Sequence, residues 1–122
     1  MDEKLKEKGK VLFGVLKKIL DKVEQEFGSR QALNDWGTSI HSVGEKQIIV
    51  EIPDQASNDS EIYTCCEDGT VFGTQENEGG PVDEANPEEG NEVVLEPIEI
   101  TDSSLDQLIK IFTTAFEEDE FI

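Results

Sequence analysis

The chain has one histidine and two cysteines in 122 residues, and each scarcity closes off a class of chemistry. A serine or cysteine nucleophile needs a base that is itself oriented by a third group. Here the only imidazole, His41, sits near Ser39 and Ser42 in a stretch that reads as strand, where such neighbours are common. Cys65 and Cys66 are adjacent in sequence; in a strand their side chains point to opposite faces, and neighbours reach disulfide geometry only with difficulty. They are expected to be reduced thiols, one of them in the core. With His41 they supply too few ligands for zinc, and the paired spacings of structural zinc motifs are missing.

Phosphate and calcium signatures are missing as well. No glycine-rich loop leads into a helix, because Gly79 and Gly80 fall in an acidic segment that repels phosphate. Asp83 to Glu92 is rich in oxygen ligands but lacks the acid spacing, sixth-position glycine and twelfth-position glutamate of an EF-hand loop. Carboxylates are so abundant that a pair of them identifies no acid–base site. The expectation is a protein that is not an enzyme, with no catalytic residue, no cofactor and no resident metal.

Long apolar runs are missing too. Nothing approaches the roughly 20 residues that span a bilayer, and the lysine-containing N-terminus lacks an adjoining apolar segment with a cleavage site. A cytoplasmic protein with no membrane partner is expected. The hydrophobic fraction of 35% is low and the charged fraction of 32% is high, so much of the chain is surface or loop. The length fits a single domain over residues 1–122.

The most informative scarcity is positive charge beyond residue 30. Residues 1–30 carry eight bases and six acids, whereas residues 31–122 carry two bases and twenty-three acids, so net +2 is followed by net −21. Adaptation to salt would spread acids evenly, but nine of the ten bases are lysine and they concentrate in one segment. Disorder would also produce high net charge, yet both ends of the chain have clear apolar periodicity. Segregation favours a directed field.

At the N-terminus Val11, Leu12, Val15, Leu16, Ile19, Leu20, Val23 and Phe27 form one helical stripe, and Gly28 follows as a stop, which predicts an amphipathic helix within 1–28. Ser29 is expected to cap a short second turn through Gln31, Ala32, Leu33 and Trp36. From Gly37 the pattern becomes strand: Ile40 and Val43, a turn at Gly44 and Glu45, Lys46 to Ile52 up to Pro53, then Ile62 to Cys66, an Asp68-Gly69 hairpin signal, and Val71 and Phe72. A strand over Glu92 to Ile100 contains Pro97, which marks an edge or a bulge. Between the last two strands, residues 76–91 read as a mobile acidic loop. Thr101 to Ser104 offer several N-caps in a row, with Asp106 in the capping-box position relative to Ser103, and the spacing of Leu105, Leu108, Ile109, Ile111, Phe112, Ala115 and Phe116 predicts a helix over 102–119. An acidic tail, 117–122, ends the chain. Its Glu117, Glu118, Asp119 and Glu120 oppose the helix dipole at about 0.3 to 1 kcal/mol per exposed charge.

The expected architecture is α+β: an antiparallel β-meander of four to five strands with the N-terminal and C-terminal helices packed on one face, and the other face solvated or available for binding.

A globular chain of this length is about 35 Å across, and duplex DNA of that length carries about 20 charges. Net −21 is of that magnitude. In size and charge the chain resembles the DNA-mimic inhibitors that phages and mobile elements use against restriction or CRISPR systems. That resemblance implies a non-enzymatic inhibitor whose partner is the basic, nucleic-acid-binding surface of an enzyme, and no direct nucleic-acid binding. The candidate partner-binding residues are Asp59, Glu61, Glu67 and Asp68 near the hairpin ends, Glu76, Glu78, Asp83, Glu84, Glu88, Glu89 and Glu92 of the loop, and Glu117, Glu118, Asp119 and Glu120 of the tail. An immunity or antitoxin protein that neutralises a basic toxin, such as a nuclease, uses the same electrostatics. An adaptor that forms a homodimer through its N-terminal helix is the third reading.

Overall fold

The computed structural model describes residues 2–53, 59–78 and 93–121. Its elements run α1 (Glu3–Phe27), β1 (Gln31–Leu33), β2 (Ser39–Val43), β3 (Gln47–Pro53), β4 (Ser60–Cys66), β5 (Val71–Glu78), β6 (Val93–Ile98) and α2 (Asp102–Glu117). The strands form one antiparallel sheet in sequence order, β1 to β6. The α+β meander with two helices on one face is the one the sequence implies, with six strands in place of four to five.

The additional strand is β1, formed by Gln31, Ala32 and Leu33, for which the sequence predicts a helical turn capped by Ser29. Gly28 closes α1 in the left-handed conformation, φ 74°, donating its N–H to the Glu24 carbonyl at 2.7 Å. The chain then pairs Ala32 with Ile40 and buries the alanine. Three residues are too few for a helix to offset its own nucleation cost, whereas a neighbouring strand edge satisfies them at once.

The stripe of α1 does what its spacing requires: Leu12, Leu16, Ile19, Leu20 and Val23 are all nearly inaccessible, each contributing about 1.5 to 3 kcal/mol by leaving water. Asp2 caps the helix, its Oδ1 accepting from the N–H groups of Lys4 and Leu5 at 2.8 and 3.3 Å. α2 is capped by Thr101, the first of the N-caps its sequence offers, and its capping box runs to Ser104 and not from Ser103 to Asp106. Thr101 Oγ1 accepts from the Ser104 N–H at 3.1 Å, and Ser104 Oγ accepts from the Thr101 N–H at 2.8 Å. Serine thus fills the position usually held by glutamate or glutamine in such a box.

The core lies between the helices and one face of the sheet. Cross-strand partners share a face, and Ala32, Ile40, Val50, Tyr63 and Gly73 form one row across five strands, with Ile48, Cys65 and Val71 forming the next. The two helices are parallel and in step. Lys8 of α1 reaches Asp102 and Asp106 near the start of α2, while Lys22 reaches Asp119 at its end. The start of α1 presses on the β4–β5 turn, where Gly9 and Gly69 touch backbone to backbone.

Past Glu117 the chain folds back. The Asp119 N–H donates to the Phe116 carbonyl at 3.4 Å and the Glu120 N–H to the Ala115 carbonyl at 3.0 Å, the bond pair of a Schellman motif. Asp119 takes the left-handed position, φ 55°, where glycine is usual. The turn delivers Phe121 into the core, 6% exposed and stacked on Phe112 with ring centroids 6.5 Å apart.

Candidate functional site

Strand register decides where the acids go. Ser60 pairs with Glu76, and Glu61 with Gln75, which in turn pairs with Glu96. Asp59, Glu61, Glu76 and Glu96 therefore gather at one end of the sheet, where β5 ends and β6 begins. Glu76 to Glu78 belong to β5 and not to the loop assigned to them by sequence, because they continue the ladder opposite β4 and β6. Asp83, Glu84, Glu88, Glu89 and Glu92 lie outside the described residues, as does the side chain of Glu78. The residues that flank segment 79–92, Glu78 and Val93, pair at this same end.

Strand alternation splits the end group between two faces. Glu61 and Glu96 fall on the helix side, where the Tyr63 hydroxyl donates to Glu61 Oε2 at 3.0 Å; burial, aided by that carboxylate, pushes the tyrosine pKa well above its ordinary value. Glu76 falls on the open side with Glu51, which pairs with Ile62. Neither Glu51 nor Glu96 was singled out from sequence, since only register relates them to the others.

Glu67 and Asp68 are not part of this group. They occupy the β4–β5 turn at the opposite end of β4, six residues and about 20 Å from Glu61. Asp68 Oδ1 accepts from the Thr70 N–H at 2.9 Å. That bond, helped by Lys6 and Lys10, holds its carboxyl below the usual carboxylate range. Its charge is spent largely on its own turn.

The terminal acids make a third location. Glu117, Glu118, Asp119 and Glu120 are exposed, and Asp119 is ion-paired with Lys22, whose ammonium also lies 5.4 Å from the Phe116 ring centroid. Lys22 is thirteen residues along α1 from Gly9, about 20 Å, so this group too stands well away from the β4–β5 turn. One member of the tetrad thus has a role inside the protein, and the dipole penalty at that position is offset by a lysine from the neighbouring helix.

The bases of α1 are partly committed in the same way. Lys8 Nζ lies 3.3 Å from Asp102 and 2.9 Å from Asp106, which raises its pKa, with the Asp106 bond the largest cause. Arg30 is held 2.8 Å from Glu24 and 2.6 Å from Asp21, and is raised by both. Lys4, Lys10, Lys17 and Lys18 stay exposed on the helix layer. Most of the α1 stripe is buried in this chain's own core, leaving Val11 and Phe27 exposed.

The sheet face turned away from the helices has a different character. It carries Leu33, Val43, Phe72 and Leu95, which are 68%, 45%, 60% and 62% exposed, with Ile49 and Ile62 half-buried between them. Among the described strand residues its only charged side chains are Glu51 and Glu76, and Lys46, Glu67 and Asp68 border it at the opposite end, beside Gln47, Cys66 and Phe72. In a chain that is 32% charged, a face whose strands are so poor in charge and so rich in exposed apolar groups is a candidate contact surface. His41 and Cys66 lie on it; Cys65 points the other way into the core. Among the described residues no three of His, Cys, Asp or Glu gather as metal ligands do, and no helix there is long and apolar enough to cross a membrane.

No protein-family model, curated protein or solved structure matches this chain.

Proposed function

We propose that this protein is a non-enzymatic acidic inhibitor that occupies the basic, nucleic-acid-binding surface of a target enzyme in the manner of a DNA mimic, as in anti-restriction or anti-CRISPR defence. The observation that carries this reading is net −21 over residues 31–122 with eight of the ten bases segregated into residues 1–30. The gathering of Asp59, Glu61, Glu76 and Glu96 at one sheet end adds to it. A field of this sign repels nucleic acid and steers the chain toward basic clefts. The partner class is a protein whose lysines and arginines otherwise hold phosphate.

The experiment is inhibition and binding against a panel of restriction and CRISPR nucleases, titrated with competitor duplex DNA and with salt. Binding should weaken as salt rises and be displaced by DNA, because both remove the same ion contacts. Replacing Asp59, Glu61 and Glu76 together with their amides should weaken it further. A complex indifferent to both salt and DNA would exclude the reading. The immunity-protein alternative uses the same acids and differs in target: there the partner is a single cognate toxin and not the panel.

A further inference from the structure

The geometry points to the open sheet face as the docking surface for that partner, with an apolar centre formed by Ile49, Ile62, Phe72 and Leu95 and with Glu51 and Glu76 as its ion-pairing groups. The inference rests on the reading above for the basic character of the partner, and it adds that the contact is not electrostatic alone.

Three observations carry it. Sheet register brings the six residues onto one surface: His41, Ile49, Thr64 and Phe72 form one cross-strand row, Glu51, Ile62, Thr74 and Pro97 the next, and Ser60, Glu76 and Leu95 a third. Phe72 and Leu95 are exposed by 60% and 62%, and both helices lie on the far side. The size is adequate, since six strands about 4.8 Å apart and on average about 20 Å long present roughly 500 Å² per partner, near the lower bound for a specific interface.

Charge decides the occupant. A second copy of this chain, packed sheet on sheet, would bring Glu51 and Glu76 against a face whose described strands carry no lysine or arginine and which a single lysine, Lys46, borders at its far end beside Gln47 and Phe72, one cation for every two carboxylates that the copies bring together. Buried carboxylates without a counter-ion are strongly disfavoured. A partner with apolar residues between lysines or arginines satisfies both the acids and the apolar centre. Apolar anchors inside a charged rim are also where binding energy concentrates.

The test titrates the full chain with two synthetic ten-residue peptides of equal charge, one alternating Lys and Leu and one alternating Lys and Ser, with amide shifts and affinity as readouts. The Lys/Leu peptide should bind at least about tenfold tighter, because a single buried leucine-sized group is worth that factor, and should shift amides of β3, β4 and β5. The double substitution Ile62→Ser, Phe72→Ser should erase the gap while leaving the Lys/Ser affinity unchanged, and Leu95→Ser alone should narrow it. Phe72 and Leu95 are exposed and Ile62 is half-buried outside the core, so circular dichroism should show the fold retained. Equal affinities, or a gap that survives the double substitution, would overturn the docking surface and leave the electrostatic reading standing. Failure of both peptides to bind at low salt would overturn the two together. A dimer of the free chain in sedimentation, lost on Ile62→Ser, Phe72→Ser, would assign the face to a second copy instead.

Discussion

Gly9 of α1 and Gly69 of the β4–β5 turn meet without room for a side chain: a Cβ on Gly9 would lie 1.9 Å from the Gly69 carbonyl oxygen, and one on Gly69 would lie 2.1 Å from the Lys6 carbonyl oxygen. This contact sets how closely the helix approaches the sheet. Gly69 is further required to be glycine by its φ of +95°.

Gly9→Ala is expected to destabilise the protein by about 2 kcal/mol or more, because the obstacle is backbone and must move. Gly14→Ala, in the same helix with nothing within 4 Å of its Cβ position, should stabilise by about 0.5 to 1 kcal/mol through helix propensity. Urea unfolding of the two variants checks both signs; a stabilising Gly9→Ala would mean the helix sits further from the turn.

The end of α2 depends on Phe121 more than on its acids. Phe121→Ala should cost about 3 kcal/mol, as for other buried aromatics. The Lys22–Asp119 pair joins side chains 39% and 56% exposed, so a double-mutant cycle with Lys22→Met and Asp119→Asn should give a coupling under about 1 kcal/mol that shrinks with salt. Asparagine keeps the left-handed backbone accessible, which isolates the charge.

Asp68 should titrate below its ordinary value of 3.8, read from its carboxyl resonance by NMR. Its folded pKa is the depressed one, so the stability it contributes is present above its unfolded pKa and is lost as pH falls through the folded one. Thr70 donates the largest share of that shift; Lys6→Gln and Lys10→Gln should raise the titration midpoint only slightly.

The adjacent thiols should behave as strangers. Burial, with a smaller push from Cys66, raises the Cys65 pKa from 9.0 to about 12. A thiol reagent at about pH 8 should modify Cys66 alone in the native protein and both cysteines after unfolding. The raised pKa also fixes a sign: the contribution of Cys65 to stability is present below 9.0 and is lost as pH climbs toward about 12. Cys65→Ala should therefore flatten alkaline unfolding across that window.

Both helices were legible because a 3.6-residue stripe is local information. Leu12 to Val23 and Leu105 to Ala115 announce a buried face whatever they pack against. The central strands were legible for a similar reason, since β-branched runs and the Asp68-Gly69 turn are signals within a few residues. β1 was not, because the pairing of Ala32 with Ile40 is what makes it a strand. Nor was the strand character of Glu76, which depends on Ser60 and Leu95 lying on either side of it.

The candidate site divides along the same line. The sequence by itself determined the sign and size of the charge, its segregation onto 31–122, and the α+β class, all of which are sums or periods along the chain. Only the tertiary structure decided that Glu61 and Glu76 stand at one sheet end while Glu67 and Asp68 stand at the other, that Asp119 is turned to Lys22, and that Ile49, Ile62, Phe72 and Leu95 share an open, charge-poor face. These are relations between residues brought together by strand register, and a register is settled by packing against the rest of the fold.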